Sequence, residues 1–282
     1  MRKKALRILA GLALALLLVC AGLFAWASSL FSEPSAREVP SVAGELGATR
    51  VLAVFAHPDD ELRAAGLLEA AKTRDHAFTA LITATRGERG TQVPVIARQR
   101  DLALIRTAEV LKSGYALGLD EQEVWGFPDS GLSGVDFEWL ASRVAEAMDR
   151  YKPDLVVTFW PGSGESGHPD HMRIGLAAEA AARRLNETPA ADGYRGPKWI
   201  AYVVAPRRGI RAIGGVAGAF VAANEPEPTL SMRAKLSTRM SGWKIHASQE
   251  YSIPTTYHLP ARLYYLLWGD EFYKVTELKE RR

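Results

Sequence analysis

The sequence of 282 residues predicts an α/β domain, with a mostly parallel sheet and helices on both faces, preceded by a transmembrane or signal helix. From Arg50 onward, short apolar runs rich in β-branched residues alternate with helical patterns, and such β-α-β alternation produces parallel sheets. Polar side chains follow directly after two of these runs, and ligands bind at the carboxyl ends of parallel strands. An uncharged run near the N-terminus predicts the additional helix.

The N-terminal run covers residues 8–32, is rich in Leu and Ala, and is long enough to span a bilayer. Four basic residues precede it: Arg2, Lys3, Lys4 and Arg7. Ala25-Trp26-Ala27 has the small-residue pattern of a signal-peptide cleavage site, so cleavage near Ala27 is an alternative to a permanent anchor. Because basic residues favour the cytoplasmic side, both outcomes place everything after Ser28 outside the cytoplasm. We therefore expect a membrane-anchored extracytoplasmic domain, or a secreted one.

Three segments are expected along the chain. Residues 1–31 form the signal anchor or signal peptide, residues 32–48 contain two prolines and scattered charges and form a tether, and residues 49–282 form the α/β domain. The net charge of +3 depends on the basic N-terminus; the remainder is slightly negative, which argues against a nucleic-acid partner. The single cysteine, Cys20, excludes an intrachain disulfide and a thiolate metal site in this sequence.

Five apolar runs after the tether are expected to be strands: 51–56, 77–83, 123–127, 155–159 and 199–204. Helical patterns cover five further ranges: 62–72, 97–112, 137–150, 172–185 and 232–251. The Gly- and Ala-rich residues 207–230 favour a hairpin and a loop. The aromatic residues within 263–273 are expected to pack onto the domain.

Two His-Pro-Asp turns mark the expected site. His57-Pro58-Asp59-Asp60-Glu61 follows the strand 51–56, and His168-Pro169-Asp170-His171 follows the strand 155–159. Each turn precedes a helical pattern, so Asp59 or Asp60 could simply cap a helix. The repetition argues against capping alone, because neighbouring parallel strands would bring both turns to one edge of the sheet.

The residue types at these turns suit a metal. His57, Asp60 and one of the histidines His168 and His171 would supply two imidazoles and one carboxylate. Catalytic zinc commonly takes three protein ligands and keeps a position for water, although the same ligand types suit non-haem Fe(II). Asp59 would remain beside the metal, where a carboxylate can act as general base.

The stretch Gly162–Gly167 matches the dinucleotide-binding pattern G-x-G-x-x-G. It runs into His168 and Pro169 before any helix begins, so we expect a loop beside a metal rather than a dinucleotide site. The sequence also lacks the G-x-S-x-G motif of serine hydrolases.

Taken together, these motifs resemble those of the PIG-L/LmbE-like zinc deacetylases, which act on N-acetylglucosamine-type substrates. Ala56–Glu61 and His168–His171 carry the specific part of the resemblance. Thr85–Gly90 is similar to the T-x-G-E-x-G loop of the family, and His246–Gln249 is similar to its late H-x-S-Q motif. The resemblance covers most of the chain after Arg50 and implies a Rossmann-like fold.

The resemblance also implies roles for the residues of the two turns. His57, Asp60 and His171 would bind zinc, with another divalent ion such as Fe2+ as the alternative. Asp59 would be the general base. His168, protonated and oriented by Asp170, would be an acid or would stabilise the oxyanion.

Two residues are expected to hold the sugar. Arg98 precedes a helix in which the family has Arg followed by Glu, although the acid here is Asp101. Asp129 lies where the family has a sugar-facing acidic loop.

The sequence thus predicts an exported or membrane-anchored zinc-dependent hydrolase that removes an N-acetyl group from an amino-sugar-containing substrate, small or glycan. Two alternatives remain: a metal-dependent amidase acting on a non-sugar amide, and a non-catalytic domain that binds sugar or metal. A pure binding domain has no need of Asp59 beside the metal ligands.

Overall fold

In the computed structural model, which describes residues 2–278, the strands of the described chain form one eight-stranded sheet. Their bounds are β1 Arg37–Glu38, β2 Arg50–Phe55, β3 Phe78–Thr85, β4 Glu121–Phe127, β5 Leu155–Phe159, β6 Trp199–Val204, β7 Leu230–Arg233 and β8 Asp270–Glu277. The spatial order is β1-β7-β8-β6-β5-β2-β3-β4. Strand β8 is antiparallel to β6 and β7, and the other neighbouring pairs are parallel. The mostly parallel α/β fold is therefore confirmed.

The helices of the described residues surround this sheet. They are α1 Arg2–Leu30, α2 Val42–Glu45, α3 Ala65–Thr73, α4 Leu102–Leu117, α5 Phe137–Tyr151, α6 Pro169–Glu187, α7 Arg207–Ile213, α8 Gly215–Asn224, α9 Leu236–Ile245, α10 Ser252–Tyr257 and α11 Ala261–Leu267. Helices α5 and α6 pack together against β2, whereas α3 contacts β3, α4 and α9. Short 3-10 turns precede α3 and α4.

The order of the strands positions the site. Strands β2 and β5 are adjacent and parallel, with Val51 opposite Leu155, although two further strands separate them in sequence. Chain connections leave this pair toward opposite edges of the sheet, which makes it a topological switch point. The two His-Pro-Asp turns therefore start from neighbouring strand ends, as the sequence predicts.

Helix α1 contains the apolar stretch Leu6–Leu30, 25 residues that are long and apolar enough to cross a membrane. Its large apolar side chains are exposed, for example Leu12 at 63% and Leu17 at 65%. Immediately after the helix, Phe31 is buried, and its ring stacks on Trp268 with the centroids 6.0 Å apart. The predicted N-terminal apolar helix is confirmed.

Residues 32–48, which we expected to be a tether, pack onto the domain instead. Glu33, Val39 and Val42 are buried, and β1 pairs with β7 at the edge of the sheet. The apolar side chains explain this, because Val42 and Ala43 of the short helix α2 join the main core.

The C-terminal third also differs in part from expectation. Residues 207–230 form the helices α7 and α8 rather than a hairpin and loop, and the range 232–251 begins inside β7 before α9 starts. The aromatic tail packs as predicted: Tyr264, Trp268 and Tyr273 are buried.

Candidate active site

The turn after β2 directs its carboxylates into the site rather than onto the following helix. Asp60 Oδ2 accepts hydrogen bonds from the backbone N–H groups of Ala56 at 3.1 Å and His57 at 2.7 Å. Asp59 makes no side-chain cap hydrogen bond, and its φ of +100° lies in a region that a non-glycine residue adopts only under strain. Simple helix capping therefore does not explain this turn.

Three side chains bring their possible metal-ligand atoms together at the ends of β2 and β5: one nitrogen each from His57 and His171, and the two carboxylate oxygens of Asp60. His57 Nδ1 lies 3.1 Å from His171 Nε2, and His171 Nε2 lies 3.2 Å from Asp60 Oδ1. His57 Nδ1 lies 3.5 Å from Asp60 Oδ2. Two ligand atoms about 2.0–2.1 Å from a tetrahedral zinc ion are separated by about 3.3 Å, so these spacings fit the ligands of one ion.

Hydrogen bonds to the far side of the His171 ring set its tautomer. His171 Nδ1 lies 2.9 Å from the carbonyl oxygen of Gly164, which can only accept, and 2.8 Å from the hydroxyl oxygen of Ser166, which itself donates to Gly164 at 3.2 Å. A proton on Nδ1 satisfies both contacts and leaves the lone pair on Nε2. The ring also stacks on Phe159, the last residue of β5, with the centroids 4.1 Å apart. His171 is thus held with its unprotonated nitrogen toward His57 and Asp60.

His57 is held from its other side by two carboxylates. Its Nε2 lies 3.2 Å from Asp129 Oδ1 and 3.3 Å from Asp170 Oδ2. Burial disfavours the charged imidazole, but hydrogen bonds to Asp129, Asp170 and Asp60 outweigh it and raise the pKa of His57 well above 6.5. Carboxylates behind a histidine are the usual partners of a metal-binding imidazole, which leaves Nδ1 for the ion.

Asp129, expected to face the sugar, is also one of these carboxylates. It is 3% exposed and accepts the backbone N–H of Arg89 at 2.7 Å. Burial opposes its ionisation, yet the hydrogen bond from His57 and the charge of that ring lower the pKa of Asp129 to about 2. Its first role in this geometry is to hold His57, although it also lines the cavity.

The contacts of His168 and Asp170 differ from those expected. The backbone N–H of Asp170 donates to His168 Nδ1 at 3.1 Å, whereas the Asp170 carboxylate contacts His57 and the N–H of Leu132. Asp170 therefore orients His168 through its backbone and not through its carboxylate. Burial and the positive charge of His171 and His57 lower the pKa of His168, which favours the neutral ring.

The nitrogens of His57, His168 and His171 also lie within 4.8 Å of one another, which shows that His168 borders the same centre. The contacts distinguish the two candidate ligands. The lone pair of His171 faces Asp60, whereas the lone pair of His168 is occupied by the N–H of Asp170.

Asp59 lies beside these ligands and is partnered by an arginine that sequence reasoning missed. Arg106 Nη2 lies 3.1 Å from Asp59 Oδ2, and Nη1 donates to the carbonyl of Gly87 at 3.1 Å. Burial raises the pKa of the Asp59 carboxyl, and the charge of Arg106 only partly offsets this. A carboxylate with a raised pKa is a better proton acceptor than an exposed one.

A buried network supports Asp59 from behind. Glu61 accepts the backbone N–H of Asp59 at 3.0 Å and lies 2.6 Å from Nε2 of the fully buried His246. The backbone N–H and hydroxyl of Ser248 donate to Glu109, at 2.8 and 2.6 Å. The late motif therefore supports the turn after β2 instead of contacting the metal-ligand atoms.

Arg98, the other expected substrate contact, lies away from this centre. Its side chain is 70% exposed and pairs with Asp101 at 2.6 Å. The arginine that contacts the site is Arg106, and Glu109, three residues later, accepts hydrogen bonds from Ser248 of the late motif. Arg106 and Glu109 have the same spacing of three residues as Arg98 and Asp101, so the sequence pattern alone does not distinguish the two pairs.

These residues surround a cavity of about 330 Å³, which lies within the size range of small-molecule sites. The cavity is lined by the three predicted metal ligands and also by Asp59, Asp129 and His168. Further lining residues come from outside the two turns: Arg63, Arg89, Arg106, Trp243 and Ser252.

The chain is similar in sequence to known deacetylases over the part that contains both His-Pro-Asp turns. Residues 52–182 match the family model described as PIG-L: GlcNAc-PI de-N-acetylase. A 1D-myo-inositol 2-acetamido-2-deoxy-alpha-D-glucopyranoside deacetylase of Kineococcus radiotolerans is 36% identical over 175 residues, which are 52% of this chain and 47% of the relative. A probable N-acetyl-alpha-D-glucosaminyl L-malate deacetylase 2 of Bacillus subtilis is 36% identical over 137 residues, 48% of this chain and 61% of the relative. The aligned part is thus about half the length of these curated relatives.

The fold has solved counterparts. The N,N'-diacetylchitobiose deacetylase from Pyrococcus horikoshii superposes with a TM-score of 0.64 at 17% sequence identity, over 84% of this chain and 86% of that chain. At this identity the likeness shows the fold alone. The family match itself extends from β2 into α6 and includes both His-Pro-Asp turns. Residues 52–182 of this chain therefore form a PIG-L family domain.

Proposed function

We propose that this chain is a zinc-dependent N-deacetylase, which hydrolyses the acetamide of an amino-sugar-containing substrate. The observation that carries the proposal is the convergence of His57 Nδ1, His171 Nε2 and the Asp60 carboxylate, with Asp59 beside them. The names of the two relatives support the substrate class, since both describe deacetylases of N-acetylated glucosamine conjugates.

His57, Asp60 and His171 would hold the ion. When bound, zinc lowers the pKa of a water molecule and polarises the amide carbonyl. Each imidazole is restrained on its other nitrogen, His171 by Gly164 and His57 by Asp129 and Asp170. Such partners fix the ring orientation and increase the basicity of the ligand nitrogen.

Asp59 acts as the general base in this mechanism. It accepts a proton from the attacking water and delivers it to the nitrogen of the departing amine. Its raised pKa suits it to carry that proton between the two steps. Arg106 holds the carboxylate in position and, with Glu61, maintains the strained turn.

His168 donates a hydrogen bond from Nε2 to the oxyanion that develops on the carbonyl oxygen. Because Nδ1 accepts the N–H of Asp170, a neutral ring has its proton on Nε2 and acts as a donor without becoming charged. A donor aimed at an oxyanion typically contributes a factor of about 10²–10³ in kcat.

We further propose that α1 anchors the chain and that the catalytic domain lies outside the cytoplasm. The apolar length of Leu6–Leu30 and the basic residues before it support this orientation. A reporter that is active only outside the cytoplasm, fused after Arg282, should be active. An inactive reporter on a stable fusion would contradict the orientation.

The test of the activity is mass spectrometry of purified full-length protein incubated with a panel of N-acetylated amino sugars and matched non-sugar acetamides. We expect loss of one acetyl group from at least one amino sugar. If only non-sugar acetamides are hydrolysed, the protein is an amidase and the proposed substrate class is wrong. If no member of the panel is hydrolysed, the proposed deacetylase activity is contradicted.

A further inference from the structure

The end of α1 is packed directly on the helical hairpin formed by α7 and α8. Phe31, the first residue after α1, is 5% exposed and stacks on Trp268. A Cβ at Gly209 of α7 would lie 2.4 Å from Phe31 Cδ1, so the ring lies against the backbone of α7. If α1 crosses a membrane, the membrane surface at its C-terminal end therefore lies close to α7.

Helix α8 exposes an apolar surface beside this point. It carries no charged side chain from Gly215 to Asn224, and Val216 is 90% exposed and Phe220 42%. Ala219 and Ala223 are exposed as well. Single exposed apolar residues are ordinary in soluble proteins, but a continuous apolar helix surface marks a contact with a partner or a membrane.

Helix α7 adds positive charge next to the apolar surface. Arg208 and Arg211 are exposed, and neither guanidinium has an ion-pair or hydrogen-bond partner among residues 2–278. Their neighbour Arg207 differs, because it lies 3.6 Å from Glu33 and 3.3 Å from Glu227. Two unpaired cations bordering an apolar helix are typical of elements that lie in the interface of an anionic bilayer.

We propose that α7 and α8 form a second membrane contact beside the α1 anchor. The exposed apolar side chains of α8 enter the interfacial layer of the bilayer, and Arg208 and Arg211 bind the phosphates of anionic lipids. The packing of Phe31 on Gly209 favours a membrane over a protein partner, since it puts α7, on which α8 packs, where the helix that we propose as the anchor ends.

The proposed membrane contact of α8 lies close to the catalytic cavity. Ala217, Gly218 and Val221 of α8 line a cavity that shares Arg63, Trp243 and Ser252 with the catalytic cavity. Helix α8 thus contributes both to the proposed membrane surface and to a cavity beside the catalytic centre. The inference itself does not depend on the proposed chemistry, since its test measures lipid contact alone.

The test uses the full chain with Cys20→Ser and a single new cysteine, Val216→Cys, carrying a fluorophore that responds to polarity. The protein is reconstituted into nanodiscs of phosphatidylcholine and phosphatidylglycerol. Tyr115→Cys on α4 is the matched control, since Tyr115 is also an exposed apolar side chain, at 83%. Ala223→Cys provides a second position on α8 in case labelling at 216 perturbs the hairpin.

We expect the emission at 216 and 223 to shift to the blue and to be quenched by doxyl-labelled lipids, with neither effect at 115. Arg208→Glu together with Arg211→Glu should remove the shift, and omission of phosphatidylglycerol should weaken it. Equal quenching at 216, 223 and 115 would overturn the proposal. So would a blue shift that lipid quenchers leave unchanged, because that result would indicate a second copy of the chain or another protein on α8.

Discussion

The carbonyl oxygen of Gly164 accepts a hydrogen bond from His171 Nδ1 at 2.9 Å, and this contact aims the opposite nitrogen at Asp60 and His57. Gly164 has a φ of +62°, and a Cβ there would lie 2.7 Å from His171 Cβ. Gly164 belongs to the stretch that matches a dinucleotide-binding pattern. Its lack of a side chain lets the backbone approach the histidine that we propose as a metal ligand.

We therefore expect Gly164→Ala to weaken metal binding by about 10–100-fold, the usual cost of losing a partner of a metal-ligating histidine. Competition with a chelator of known affinity measures this. Gly134→Ala is the matched control, since nothing lies within 4 Å of a Cβ at Gly134. Equal zinc affinity in both variants would show that the Gly164 contact does not support the ligand.

The two histidines of the second turn should separate metal binding from chemistry. We expect His171→Ala to lose the metal, because its Nε2 faces Asp60, whereas His168→Ala should retain it and lose about 10²–10³-fold in kcat. Elemental analysis and acetate release measured on the same preparations give both quantities. If His168→Ala loses the metal and His171→Ala keeps it, the roles of the two histidines are reversed.

Zinc affinity should rise with pH through the range above pH 6.5. Three carboxylates raise the pKa of His57, so below that raised pKa the ring holds a proton that the ion must displace. Apparent affinity should then increase by about tenfold per pH unit until the pKa of His57 is passed, and should level off above it. Calorimetric titrations at several pH values measure this, and an affinity that is constant from pH 6.5 upward would contradict a ligand role for His57.

The parts of the fold that the sequence predicts are those encoded by local pattern. Strands β2 and β5 are short apolar runs, and both end at a His-Pro-Asp turn, so their pairing brings His57, Asp60 and His171 together. Strand β7 was missed because its four residues show too little alternation to be recognised. It is held by long-range pairing with β1 and β8.

The sequence pattern does not show which arginine contacts the site. Arg98 with Asp101 and Arg106 with Glu109 have the same spacing, and both pairs lie within the helical pattern 97–112. Only the packing of α4 beside the turn after β2 shows that Arg106 contacts Asp59. The prediction of a tether at residues 32–48 was wrong for a similar reason, because these residues are held by a partner far away in sequence: β1 pairs with β7, and α2 contacts β7.

The most direct test of the account is a zinc titration of chelator-treated protein, with acetate release followed on an amino sugar that the enzyme deacetylates. We predict that activity rises with zinc and levels off at about one ion per chain. Asp59→Asn should take up the same amount of zinc but release acetate about 10²–10⁴-fold more slowly. Full activity without metal, or full activity in Asp59→Asn, would contradict metal-dependent hydrolysis with Asp59 as the base.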